Sequence, residues 1–308
     1  MNRFLSLTVV VALSYPANVR PQEWKVLDLG TNIYAIAEKG RYLWFGGGGG
    51  GLRKLDTITG EMVSYTEANS GLPDNYVTSI AFGSEGEMWI GTAGGGLAEF
   101  DGKRWKVYNA VNSGLPRDEV RSLAVDHRGN LWVGTYLGGL ARFDGESWLV
   151  YNKTNSGLPD DRVYSIVIDD WGNVWTGTNR GLARFDGKEW KFYRGGYITS
   201  LALDVHGNLW VGTAGDGLAK FDGEDWVTYG PDNSKLPSYL VTALTLDHQN
   251  ILWIGTLGGG LASFDGRVWT VYTEENSELP DDDILAIFVD ARGHKWIATG
   301  GGKLFVHK

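Results

Sequence analysis

The chain has 308 residues, 43% of them hydrophobic, a formal net charge of -9 and no cysteine, so it can bury a large core and is not a disulfide-framed mini-domain. Its 45 glycines and 14 tryptophans suit tight turns and strands rather than helices, whose interiors glycine weakens. With 37 acidic residues against 28 Lys and Arg, contact with a phosphate backbone is disfavoured and nucleic acid is not an expected partner.

At the amino end, Arg3 precedes the mostly apolar run Phe4 to Leu13 and the small-residue exit at Ala12-Leu13-Ser14. This is the pattern of a secretory signal peptide, too short to span a bilayer. Residues 1–21 are therefore read as signal peptide and leader, with a Val-rich strand as the plain alternative. The mature chain is expected in the periplasm or outside the cell, without membrane insertion.

Residues 22–308 are read as one domain because the sequence repeats itself. A Trp followed by a short apolar, Thr or Phe residue and then Gly or Ala recurs at Trp44, Trp89, Trp132, Trp175, Trp210, Trp253 and Trp296. A second series lies near the end of each unit at Trp24, Met62, Trp105, Trp148, Trp190, Trp226 and Trp269. Within one unit, Val120–Asn152, alternation over Val120 to Val125 gives a first strand, and Asp126 to Asn130 a turn with Gly129 where positive φ is needed. Strand two carries Trp132, a Gly-rich turn follows, LARFD is strand three and SWLVY strand four.

Four short antiparallel strands per unit predict an all-β, seven-bladed β-propeller. The third position of the first strand is Ala35, Ser79, Ser122, Ser165, Ser200, Ala243 and Ala286, small as the crowded axis of a propeller requires. The first element is a fourth strand, Glu23 to Leu27, and the last a third strand, Leu304 to His307. The amino-terminal strand is thus expected to complete the carboxyl-terminal blade and close the ring, which protects sheet edges.

The units resemble two-component regulator propeller repeats: an apolar strand, Asp, two residues, Gly-Asn-Leu-Trp, an apolar residue, Gly-Thr and a Gly-Leu, as in LAVDHRGNLWVGTYLGGL (Leu123 to Leu140) and LALDVHGNLWVGTAGDGL (Leu201 to Leu218). The resemblance implies a sensor-type propeller that detects extracellular ligands such as glycans. The chain ends at Lys308 without a membrane helix, kinase or DNA-binding region, so signalling output of its own is not expected. It is similar more loosely to streptogramin lyases, seven-bladed propellers whose chemistry needs a basic group and a metal at one face. Here His127, His206, His248 and His294 fall in or beside the turn between strands one and two, away from the probable ligand face, and His307 is terminal.

Alternation of strand direction brings the inter-blade loops and the turns between strands two and three to one face, the upper face. The loop is NSGLP or a close variant at Asn69–Pro73, Asn112–Pro116, Asn155–Pro159, Asn233–Pro237 and Asn276–Pro280, and is replaced by short links at Leu27–Ile33 and Tyr193–Ile198. Five long loops and two gaps nearly across the ring predict a trough open at both ends. Just before strand one stand Asn32, Tyr76, Glu119, Arg162, Tyr197, Leu240 and Asp283, with Tyr239 beside Leu240; one residue into it stand Tyr34, Thr78, Arg121, Tyr164, Thr199, Thr242 and Leu285. Tyr136, Asn179, Arg180 and Asp216 lie in the upper turns.

From these, the candidate ligand residues are Tyr76, Glu119, Arg121, Tyr136, Arg162, Tyr164, Asn179, Arg180, Tyr197, Asp216, Tyr239 and Asp283. Tyr faces with Arg and carboxylates suit a polar small molecule, a glycan or a protein segment; a solvated rim is the plain alternative. The Trp series reads as blade packing, the Phe-Asp-Gly motifs as hairpins between strands three and four, and Gly46–Gly51 as a turn without the Lys and helix of a phosphate loop. Asp281, Asp282 and Asp283 are consecutive and lack a spaced ligand set, so neither metal nor cofactor is called for. The expected protein is an exported, non-enzymatic binding propeller, with an exported lyase- or hydrolase-like enzyme or a structural interaction platform as alternatives.

Overall fold

The computed structural model describes residues 25–307; the leader read over 1–21 and the series member Trp24 lie outside them. Among the described residues, twenty-eight strands form seven four-stranded antiparallel sheets. Blades one to six begin with inner strands Ile33–Lys39, Val77–Phe82, Val120–Val125, Val163–Ile168, Ile198–Leu203 and Val241–Leu246. Blade seven holds Ile284–Val289, Lys295–Thr299 and Lys303–His307, and its fourth strand is Lys25–Asp28 from the other end of the chain. Val26 pairs with Phe305 and Leu27 with Leu304, so the ring closes. Each inner strand packs against the inner strands of both neighbouring blades, the first against the seventh included.

The core lies between blades. Seven apolar clusters each combine side chains of two adjacent blades, as where Trp89 and Leu97 of blade two meet Val120, Leu131, Val133 and Phe143 of blade three. The leucines of the five long loops, Leu72, Leu115, Leu158, Leu236 and Leu279, are buried in these clusters, so the loop is an interface plug as well as a spacer. Five strand-two tryptophans, Trp44, Trp89, Trp132, Trp175 and Trp210, meet a Phe of the next blade edge-on: Trp132 lies 6.2 Å from Phe185, which stacks at 5.1 Å on Trp190 of its own blade. The glycine after that Trp lets the blades approach, since a Cβ on Gly134 would lie 2.6 Å from Val163 Cγ1.

The Asp of the turn between strands one and two has a definite task. Asp126 accepts from the backbone N–H groups of Arg128 and Asn130, from Asn130 Nδ2 and, at 3.0 Å, from the Trp132 indole. Asp169, Asp204, Asp247 and Asp290 bind their own tryptophans alike. Burial alone would raise the Asp126, Asp204, Asp247 and Asp290 carboxyls, and the donated hydrogen bonds more than offset it, holding them below 3.8.

Blade two and blade seven each accommodate a departure from the repeat. In blade two the Asp position is Gly83 and the Asn position is Glu87. Glu87 reaches into the space an Asp would fill, where a Cβ on Gly83 would be 1.6 Å from its Oε1, and accepts from the Trp89 indole at 3.3 Å. In blade seven, His307 occupies the place of the strand-three Phe, 5.6 Å from the Trp253 ring and 6.0 Å from Tyr272.

Candidate functional site

The mouth of the ring is made by one repeated irregularity. In every inner strand the pairing register skips one residue near its start, between Ile33 and Ala35 in blade one and between Val120 and Ser122 in blade three. The same skip recurs in the other five. A bulge leaves one residue out of the ladder and re-aims its side chain. The residues left out are Tyr34, Thr78, Arg121, Tyr164, Thr199, Thr242 and Leu285, and all seven, joined by Tyr76 and Tyr197, line one cavity of about 360 Å³. That volume is at the small end for ligand pockets.

The upper face is fixed by hydrogen bonds between the two kinds of connection. The turn after strand two donates to the residue before strand one, as Tyr136 N–H to Glu119 C=O at 2.9 Å and Ala214 N–H to Tyr197 C=O at 3.0 Å. At the mouth, tyrosines of adjacent blades meet in two pairs. Tyr34 stacks on Tyr76 with centroids 5.5 Å apart and planes at 9°, and Tyr164 meets Tyr197 at 4.8 Å. Burial, then the hydrogen bond with Tyr34, raises Tyr76 to about 12; burial, then the hydrogen bond with Tyr197, raises Tyr164 further. Both stay phenols at neutral pH.

The three threonines are committed to the scaffold. Thr78, Thr199 and Thr242 each donate to the first inner-strand carbonyl of the next blade, Val120, Val241 and Ile284, at 2.7, 2.6 and 2.5 Å. Toward the mouth their hydroxyls can only accept. Arg121 is the single charged residue of the lining, and its guanidinium is ion-paired with Glu119. Below the mouth, an axial well of about 280 Å³ carries Ser79, Ser122, Ser165 and Ser200 on blades two to five and Ala35, Ala243 and Ala286 on the other three.

Of the twelve residues singled out from the sequence, Tyr76, Arg121, Tyr164 and Tyr197 line the cavity and the other eight do not. Glu119 touches it through Arg121. Tyr136 lies between two cations, 5.4 Å from the Arg121 guanidinium and 5.5 Å from that of Arg162. Arg162 and Arg180 both reach Asp160, at 3.6 and 3.4 Å, making a rim outside the mouth. Asn179 donates its backbone N–H to the Arg162 carbonyl, and the Asp216 N–H is held by Thr213 Oγ1. Tyr239 donates to Asp232 at 2.6 Å, and Asp283 accepts from Gly258 N–H at 2.8 Å. Tyr34, Thr78, Thr199, Thr242 and Leu285 were visible in the sequence as a column of differing residues. What marks that column as the lining is the bulge, and nothing in alternation reveals a register skip. His127, His206, His248 and His294 sit in or beside the opposite turns, as the spacing predicts.

Among the described residues no cluster of His, Cys, Asp or Glu has metal-binding geometry, and no helix is long and apolar enough to cross a membrane. Five segments, 71–94, 114–137, 157–180, 193–215 and 235–258, match the two component regulator propeller family. Among curated proteins none matches. Of solved structures, one described as the extracellular domain of a hybrid two component system, BT3049, from B. thetaiotaomicron is 20% identical with a TM-score of 0.78, over 93% of this chain and 41% of that one. Virginiamycin B lyase from Staphylococcus aureus is 15% identical with a TM-score of 0.76, over 93% and 99%. PorZ, a surface component of the type-IX secretion system of Porphyromonas gingivalis, is 19% identical with a TM-score of 0.69, over 90% and 46%. The chain spans about two fifths of that extracellular domain, and at these identities the likeness is one of fold. This chain is a seven-bladed propeller in which five segments match two component regulator propeller repeats.

Proposed function

We propose that the protein is an exported, non-enzymatic propeller that binds a small polar ligand or the exposed part of a glycan at its upper mouth, in the manner of a sensor domain. The observation that carries this reading is convergence: bulges aim Tyr34, Arg121 and Tyr164 into a single cavity, where Tyr76 and Tyr197 complete two tyrosine pairs. Half-open Tyr faces suit sugar rings or other flat polar groups. The extracellular domain of a two component system that shares the fold makes a sensing role, and export by the leader at 1–21, the natural context.

Catalysis is disfavoured by the chemistry at the mouth. The tyrosines with raised values are poor general bases near neutral pH, and the lining holds no carboxylate or imidazole to take their place. The test is a thermal-shift screen of the secreted protein against sugars, peptides and divalent ions, since a ligand of the folded state raises its melting temperature. A hit is then titrated against Tyr76→Ala, Arg121→Ala and Tyr197→Ala. Loss of binding in these variants is expected; retention in all three refutes the mouth as the site.

A further inference from the structure

Building on the mouth as the binding site, we infer that it takes an uncharged linear oligosaccharide laid across the face, and that Glu119 is the residue that sets this charge preference. The shape argument rests on the connections. Five inter-blade loops have eleven residues, whereas the link between Asp28 and Ile33 has four and that between Arg194 and Ile198 has three. The first short link leads directly into Tyr34 and the second contains Tyr197. One tyrosine pair therefore stands beside each gap, with the axis between them. A chain entering at one gap and leaving at the other places a ring on each pair and its middle over the well.

The chemistry favours sugar over peptide. The inner-strand carbonyls of Val120, Val241 and Ile284 are already occupied by threonine hydroxyls, so a peptide backbone finds no free run of acceptors there. Leu285 is the sole aliphatic side chain in the lining, so pockets for apolar side chains are missing too. Hydroxyl-rich rings meet what is present: aromatic faces, accepting threonine oxygens and a donating guanidinium.

Charge then decides between neutral and acidic sugars. An unpaired Arg121 would draw a carboxylate, but Glu119 is bonded to that guanidinium from just outside the lining. The pair presents donors and an acceptor with no net charge, which fits vicinal hydroxyls and repels a second carboxylate. The overall charge of -9 adds to this at low salt.

Isothermal titration with neutral series of one to six units (β-1,4-glucan, α-1,4-glucan, β-1,4-mannan and β-1,4-xylan) and with oligogalacturonate of matched length tests the inference. At least one neutral series should tighten about tenfold between two and four units and then level off, with the acidic series about tenfold weaker. Glu119→Gln should raise the affinity ratio of the acidic to the neutral series about tenfold at low salt, while Glu119→Asp keeps the wild-type ratio. Failure of every neutral series to bind, affinity independent of length, an acidic preference in the wild type, or a ratio unmoved by Glu119→Gln would each overturn it. Binding that survives Tyr76→Ala and Tyr197→Ala together refutes the mouth itself; binding abolished by them with an unmoved ratio refutes only the role of Glu119.

Discussion

The exchange of positions in the blade-two turn allows a quantitative test of how this scaffold tolerates departures. Glu87→Asn removes the carboxylate that accepts from the Trp89 indole and leaves both a void beside Gly83 and an unpartnered N–H. An unsatisfied buried donor costs about 1–3 kcal/mol, and the 3.3 Å bond places this case at the lower end, about 1–2 kcal/mol. Gly83→Asp alone collides with Glu87, yet the colliding atoms are the end of a flexible side chain that can swing to solvent while the new Asp takes over the indole. Its cost should stay within about 1 kcal/mol. The double variant recreates the turn seen at Asp126, with four hydrogen bonds to one carboxylate, and should be at least as stable as the wild type. Scanning calorimetry of the four proteins would show Glu87→Asn melting about 2–4 °C lower in the wild-type background and unchanged or higher in the Gly83→Asp background. Additive effects, with a coupling below about 0.5 kcal/mol, would refute the claim that Glu87 stands in for the missing Asp.

Other consequences are as direct. Burial, aided by Lys295, holds His307 below 6.5, so the unfolded chain takes up a proton first as pH falls. The stability this site contributes is full above pH 6.5 and is lost below it; His307→Phe should remove that slope in melts between pH 7 and 5. Asp126, Asp204, Asp247 and Asp290 lie below 3.8, so their contribution is full above that value and is lost as pH drops through their folded values. Melting temperature should therefore fall steeply only under pH 4, and less steeply in Asp126→Asn. Thr199→Val removes one inter-blade hydrogen bond of 2.6 Å and should cost about 1 kcal/mol in calorimetry without changing circular dichroism. Removing residues 1–28 deletes the fourth strand of blade seven and should lower the melting temperature by about 10 °C or more, with loss of a single cooperative transition.

Why the fold was so legible is a matter of repetition. A side chain such as Trp132, held by Asp126 at one end and packed on the next blade at the other, has to recur wherever two blades meet, so the period announces the architecture. Ring closure was readable because Lys25–Asp28 and Lys303–His307 are incomplete units of one kind. The mouth was only half readable. Its column of residues stands out because the units disagree there, but the adjacent column disagrees as much, and of it Arg162 and Asp283 are taken up by an ion pair and a turn N–H. Choosing between neighbouring columns requires knowing that a residue has been dropped from the ladder. That is a property of register, which changes the facing of every side chain beyond it and leaves no mark in composition.

The way departures from the repeat are handled separates packing from function. In blade two a departure is met by another, Gly83 by Glu87, and in blade seven the His307 ring fills the place beside the Trp253–Tyr272 pair that Phe holds elsewhere. The threonines of the mouth likewise answer to the scaffold, since each ties its blade to the next. Tyr34, Arg121, Tyr164 and Leu285 occupy the same bulge without making that tie. Four of seven blades thus forgo a hydrogen bond that the other three use to close the ring, a cost of about 1 kcal/mol each. Stability does not ask for that exchange, and a cavity that needs aromatic faces and one guanidinium does. The prediction is that Tyr34, Arg121 and Tyr164 can each be replaced by Thr with a gain in melting temperature and a loss of ligand, whereas Thr in place of an interface aromatic such as Phe185 would lose both.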